Sequence, residues 1–261
     1  MSEILKINRW LRGALSEQRY DRLRGMLREP MGFWFSRDLN RLARVYGSDK
    51  WGGHWYTQHY ARHFQHLRRK PLKFLEIGIG GYEDPHKGGS SLQMWRRYFP
   101  NAQIVGLDYF DKSPHAEKRI RIYKGDQSDE ALLRRIVKEA GPFDIIIDDG
   151  SHMNAHVLKS FEVLFPLLAE DGIYVVEDTQ TAYWPEYGGT SDDFIHASTS
   201  LCFLKSLTDG INYEEFMKPG YQPSYYDEHI VAMHFYHNIV FIQKGQNKEG
   251  SNILRKKTAA S

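Results

Sequence analysis

The sequence predicts an α/β fold built on a doubly wound, mainly parallel sheet. Three observations lead there. Five short apolar runs alternate with longer stretches of helical period, the runs end in glycine or acidic residues, and two final β-rich runs stand only His237 and Asn238 apart. The last spacing is that of a hairpin, which places one antiparallel strand at the end of the sheet. With 261 residues, 41% apolar side chains and 22 Gly, the chain can bury one large core, so a single α/β domain with an appendage is expected.

The elements follow in order. Residues 3–28 set Trp10, Leu11, Leu15, Tyr20, Leu23 and Leu27 at helical spacing among arginines, which predicts two helices, ended by the breaker Glu29-Pro30-Met31-Gly32. Another helical stretch follows Ser36, and an aromatic segment runs from Tyr46 to Tyr60. Strands are predicted at Lys73–Ile77, Ile104–Asp108, Ile120–Tyr123, Phe143–Asp148 and Ile173–Glu177, with helices over 90–99, 129–140 and 154–169. A polar, aromatic insertion at about 179–226 leads to the hairpin of Ile230–Tyr236 and Ile239–Gln243. The chain then divides into a basic helical N-terminal extension with a lid segment (1–70), the sheet domain (71–245) and a polar tail (246–261).

The net charge of +2 hides an asymmetry, because residues 1–70 hold 15 Lys and Arg against 6 Asp and Glu while the rest hold 20 against 27. A basic arm suits nucleic acid or an anionic membrane surface. Here the arginines alternate with apolar residues in helical rhythm, the pattern of a solvated amphipathic face, so no nucleic-acid partner and no membrane insertion is expected. An apolar stripe this short has no core of its own and is expected to pack on the sheet domain or on a second subunit, giving a homo-oligomer. Cys202 is the sole cysteine, which excludes an intramolecular disulfide framework and a cysteine-rich metal module. With no run of 18 apolar residues and no apolar leader segment, a cytoplasmic protein is expected.

Ligands of open α/β sheets bind beyond the carboxyl ends of the strands. After the first strand stands Glu76-Ile77-Gly78-Ile79-Gly80-Gly81. A dinucleotide fingerprint needs a third glycine at position 83, which is Glu83. The form Glu-x-Gly-x-Gly instead resembles the first motif of class I methyltransferases that use S-adenosylmethionine, and a sheet closed by an antiparallel hairpin agrees with their Rossmann-like topology. Asp108 ends the second strand, where an acid accepts ribose hydroxyls, although a dehydrogenase would want the same residue. Gly125-Asp126-Gln127 follows the third strand and resembles the element whose Asp accepts from the adenine amino group.

The fourth and fifth strands end in Asp148-Asp149-Gly150-Ser151-His152 and Glu177-Asp178. Four carboxylates at neighbouring strand ends repel one another unless a cation neutralises them, and hard oxygens suit Mg²⁺. Side chains alternate along a strand, so not all four reach one ion; Asp149 and Asp178 are the first candidates and Glu177 the third. His152 follows closely enough to serve as general base for an alcohol, which is a poor nucleophile until its proton is removed.

These motifs resemble the metal-dependent sugar O-methyltransferases of macrolide and polyketide glycoside biosynthesis. The resemblance is carried by Tyr-Gly-Ser-Asp-Lys-Trp-Gly-Gly-His-Trp-Tyr (46–56), Leu-Glu-Ile-Gly-Ile-Gly-Gly-Tyr (75–82), Gly-Gly-Ser-Ser-Leu-Gln-Met-Trp (88–95), Asp-Asp-Gly-Ser-His (148–152) and Glu-Asp-Thr-Gln-Thr-Ala-Tyr-Trp (177–184). It implies a class I methyltransferase fold, Mg²⁺ on Asp149 and Asp178, His152 as base, and S-adenosylmethionine contacts at Gly78, Gly80, Ser91, Asp108, Asp126 and Gln127. The acceptor it implies is a small-molecule glycoside. An RNA methyltransferase, a methyltransferase of small aromatic acceptors and a non-catalytic S-adenosylmethionine-binding module stand as alternatives. Lys50, His54 and Tyr56 are expected to reach cofactor or substrate, and the loop Tyr183–Gly189 suits a sugar ring.

Overall fold

The computed structural model describes residues 17–195 and 198–251. Its centre is a seven-stranded sheet of order β3-β2-β1-β4-β5-β7-β6, with β1 Lys73–Ile77, β2 Gln103–Asp108, β3 Ile120–Lys124, β4 Ile145–Asp148, β5 Ile173–Glu177, β6 Ile230–Tyr236 and β7 Ile239–Lys244. The first five strands pair in parallel, and β7 runs antiparallel to both β5 and β6. The helices are α1 Glu17–Trp34, α2 Leu39–Tyr46, α3 Thr57–Phe64, α4 Ser90–Tyr98, α5 Glu130–Ala140, α6 Asn154–Leu164, α7 Ser200–Gly210 and α8 Tyr225–His229. This is the predicted architecture of alternating strands and helices closed by a hairpin. Among the described residues no helix is long and apolar enough to cross a membrane.

Two apolar clusters sandwich the sheet. One joins Tyr60, Phe64, Trp95 and Phe99 to Phe74, Ile104, Ile145 and Phe241; the other joins Leu133, Phe161, Leu164 and Phe165 to Leu75, Leu107, Ile146 and Tyr174. Such alternation gives each strand two buried faces, as a parallel sheet covered by helices requires. The core does not stop at residue 70, because α2 and α3 contribute Leu39, Leu42, Tyr46, Tyr60 and Phe64 to the first cluster.

Two expectations need correction. Pro30 does not end the first helix: α1 runs through it to Trp34. An interior proline removes one helical hydrogen bond at a cost of about 3 kcal/mol, and tertiary anchoring offsets it. Glu29 pairs with Arg96 and Arg97, Met31 packs on the core, and Gly32 lies so close to Tyr46 that a Cβ there would collide with its hydroxyl. The part of the prediction that falls on residues 1–16 lies outside the described residues. The helix expected over 154–169 stops at Leu164, two residues before Pro166, which has no N–H to continue the helical hydrogen bonds. The insertion also holds a full helix, α7, started by Thr199, whose side chain accepts from the Cys202 N–H.

Candidate active site

A cleft of about 1010 Å³ opens at the carboxyl ends of β1, β2, β4 and β5. Gly78, Gly80, Ser91, Asp108, Asp126, Gln127, Asp149, His152 and Asp178 all line it, and Glu177 does not. The turn after β1 explains its first glycine. Gly78 has φ +88°, and a Cβ there would collide with the Asp149 carbonyl oxygen, so the chain leaving β1 passes against the end of β4 only without a side chain.

The acidic and amide groups at the cofactor end are partly committed to the protein itself. Asp108 accepts from the N–H of Ile79 through Oδ2 and from the N–H of Phe110 through Oδ1, both at 2.8 Å. It thereby fixes the glycine turn while keeping lone pairs towards the cleft. Asp126 accepts from the Ser128 N–H and hydroxyl at 2.8 Å, and the backbone bond holds its carboxyl below the usual range. Gln127 is buried, donates to Asp148 at 3.0 Å and accepts from the Ser151 N–H at 2.6 Å. Its amide ties β3 to the end of β4. The Ser91 hydroxyl donates to Glu76 at 2.8 Å.

Alternation separates the two aspartates at the end of β4. Asp148 turns inward to Gln127 and Ser160, with burial raising its pKa, while Asp149 faces the cleft. At β5 the split is between Glu177, 3% exposed, and Asp178 in the cleft. Glu177, expected as a third ligand, is engaged elsewhere: it accepts from Lys50 Nζ at 2.7 Å and from the Tyr60 hydroxyl. Lys50 also donates to Asp149 Oδ2 at 2.6 Å and lies 3.4 Å from Glu76 Oε1. Burial alone would lower the Lys50 pKa, but Asp149, Glu177 and Glu76 together raise it well above its ordinary value. One cation therefore faces three carboxylates. Burial, with added repulsion from Asp149, drives the Glu177 pKa well up, burial raises Asp149, and burial pushes Glu76 up to about 7.

Asp178 is held from the other side. Tyr56 donates to its Oδ1 at 2.6 Å, His54 Nδ1 lies 3.5 Å from the same oxygen, and His152 Nε2 lies 3.6 Å from Oδ2. Of the three residues expected to reach a ligand from the aromatic segment, Lys50 reaches the buried carboxylates, while His54 and Tyr56 reach Asp178. Both His152 and Asp178 adopt left-handed backbone, at φ 59° and 53°, a strain that clusters at functional sites. Ligand atoms of Asp149, His152 and Asp178 lie within 4.8 Å of one another. Two partly buried carboxylates with an excess of negative charge behind them are the donor set a hard divalent cation selects. The residues present fit Mg²⁺.

Sequence reasoning missed Tyr60, which sits 117 residues from Glu177, and the role of Glu76 as a buried carboxylate beside Lys50. The insertion is drawn over the cleft by Asn154, whose amide donates to the Tyr187 carbonyl at 2.9 Å and accepts from the Ser200 N–H at 2.7 Å. Tyr187 lines the cleft, and Trp184, whose ring lies 5.9 Å from that of Tyr187, is 43% exposed.

A family profile described as a methyltransferase domain matches residues 32–179. The chain belongs to this methyltransferase family. It is 51% identical over 215 residues to mycinamicin VI 2''-O-methyltransferase of Micromonospora griseorubida, covering 82% of this chain and 54% of that one. It is 45% identical over 222 residues to 8-demethyl-8-alpha-L-rhamnosyl tetracenomycin-C 2'-O-methyltransferase of Streptomyces olivaceus, covering 85% and 58%. A solved methyltransferase from the mycinamycin biosynthetic pathway, in complex with Mg and SAH, superposes with a TM-score of 0.79 at 48% identity, over 86% of this chain and 59% of that one. The chain spans about half the length of the curated relatives it matches.

Proposed function

We propose that this methyltransferase moves a methyl group from S-adenosylmethionine to a sugar hydroxyl of a glycosylated small molecule, with Mg²⁺ held by Asp149 and Asp178. The observation that carries the reading is the meeting of Asp149, His152 and Asp178 in the same cleft as the Gly78–Gly80 turn and Asp108. The names of the relatives, O-methyltransferases of glycosylated macrolides and polyketides, support the acceptor class.

When bound, the cation lowers the pKa of an acceptor hydroxyl and the sulfonium cofactor supplies an electrophilic methyl. The chain's own residues do the rest. Asp149 and Asp178 offer oxygen to the ion, Tyr56 and His54 orient Asp178, and Lys50 keeps Glu177 occupied below them. His152 takes the hydroxyl proton at Nε2, and Asp178, 3.6 Å away, stabilises the imidazolium that results. Gly78, Gly80, Ser91, Asp108, Asp126 and Gln127 shape the cofactor end, and Trp184 and Tyr187 offer ring faces to a sugar. Most of the remaining rate comes from holding acceptor and methyl in line.

We place the protein in the cytoplasm, where its unpaired Cys202 is at ease, and as a homo-oligomer, since Met26, Phe33 and Trp34 stand exposed on α1. Calorimetry with S-adenosylmethionine, its demethylated product and NAD tests the cofactor. Transfer of labelled methyl to mycinamicin VI or a rhamnosylated polyketide, lost in EDTA and restored by Mg²⁺, tests the reaction. NAD binding without S-adenosylmethionine binding, or full transfer after exhaustive metal removal, refutes the reading.

A further inference from the structure

We propose that Lys112 is a positioning residue for the cofactor, its buried ammonium strapping the glycine loop 80–89 into the shape that receives S-adenosylmethionine. This rests on the cofactor reading above and adds a residue to it. Lys112 follows β2 by four positions and is fully buried. Its Nζ donates to the carbonyl oxygens of Tyr82 at 2.6 Å, Asp84 at 2.7 Å and Lys87 at 3.2 Å. An ammonium has three N–H donors, and all three are used. Its partners are carbonyls of one loop, so the interaction fixes backbone rather than balancing a carboxylate.

The loop it holds turns back on itself. Gly80, Gly81, Gly88 and Gly89 take φ of 77°, 80°, 94° and 71°, and the Gly89 N–H donates to the Ile79 carbonyl at 2.8 Å. Side chains at Gly81 or Gly88 would collide with backbone across the turn. The inner side of the loop, Gly80, Gly81, Tyr82 and Gly88, lines the cleft. The end of β2 thus grips the loop with both signs of charge: Asp108 takes the Ile79 N–H at the start, and Lys112 takes three carbonyls further on. Four glycines give the free loop many conformations, and ordering them as the ligand arrives would weaken binding. Lys112 orders them beforehand.

The test uses the full chain with S-adenosylhomocysteine as ligand and the variants Lys112→Met, Lys112→Gln and Lys112→Arg. Met keeps the length and removes the donors, Gln keeps one neutral donor group, and Arg keeps the charge and the donors. Calorimetry should show affinity for S-adenosylhomocysteine reduced about 10 to 100-fold in the Met variant, less in Gln, and largely recovered in Arg. Amide exchange should accelerate across 80–89 in the Met variant while the strands keep their protection, and saturating S-adenosylhomocysteine should restore the loop's protection. A residue that only supports the fold would lower protection in the sheet as well, and ligand would not repair the loop selectively. Wild-type affinity and loop exchange in the Met variant overturn the proposal. If Lys112→Met does not fold, Lys112→Gln decides by the same two readouts. Failure of the wild type to bind S-adenosylhomocysteine would overturn the cofactor reading, and with it the proposed role of the strap, while the exchange experiment would still report whether Lys112 holds the loop.

Discussion

Lys50→Met removes the cation that Asp149, Glu177 and Glu76 share at 2.6, 2.7 and 3.4 Å. Methionine has a similar length, so the change is one of charge more than packing. Deleting one partner of a buried ion pair costs about 3–5 kcal/mol, and with two carboxylates in direct contact the upper half of that range is expected near pH 8. Proton uptake by the abandoned carboxylates then limits the loss. Burial already raises Glu177, Asp149 and Glu76 above their ordinary values, and removing Lys50 raises them further. A carboxyl whose folded pKa exceeds its unfolded one contributes stability that is complete below the unfolded pKa and disappears as pH rises through the folded pKa. The deficit should therefore narrow by more than half between pH 8 and pH 5. Urea unfolding in EDTA at the two pH values measures it. A loss under about 1 kcal/mol at pH 8, outside the range for a broken buried pair, or an equal loss at both pH values would refute the account.

Three other perturbations have distinct signatures. His152→Ala should lower kcat by about 10² to 10⁴, the contribution of a positioned base, with S-adenosylhomocysteine binding intact; steady-state kinetics with part of the rate recovered at high pH would check it. Tyr56→Phe removes the 2.6 Å bond to Asp178 and should weaken Mg²⁺ about 10-fold by titration calorimetry, as loss of an orienting partner does, and unchanged affinity would remove Tyr56 from the site. Gly78→Ala combines φ +88° with a collision against the Asp149 carbonyl and should cost more than about 3 kcal/mol or prevent folding, whereas a soluble variant with wild-type melting would show the turn to be more pliant than its geometry requires.

The parallel sheet was legible because strand periodicity and strand-end chemistry coincide in this chain: each apolar run stops where a glycine or carboxylate begins. Alternation likewise separates Asp149 from Asp148 on the sequence alone. It leaves Glu177 as a third candidate, because it says which face a side chain takes and not what waits there. What waits is Lys50, 127 residues earlier, and no local pattern announces so distant a partner. Gln127 and Ser91 line the cleft, but their polar atoms are spent on Asp148, Ser151 and Glu76, a commitment that depends on packing between elements. Pro30 reads locally as a stop, and Glu29 and Gly32 carry α1 past it through contacts with Arg96, Arg97 and Tyr46.

The reach of Lys50 and Tyr56 also sets a schedule for synthesis. Their carboxylate partners leave the ribosome 127 and 122 residues after them, and the Asn238 carbonyl that Tyr56 also contacts follows 182 residues later. At about 5–20 residues per second, Lys50 waits on the order of ten seconds for Glu177. Once β5 is made, its outer side has no neighbour until β7, which pairs there, follows. The nascent protein therefore first carries a lysine that lacks its Glu177 partner and then an unpaired β5 edge, and only the second is resolved by the arrival of the β6–β7 hairpin.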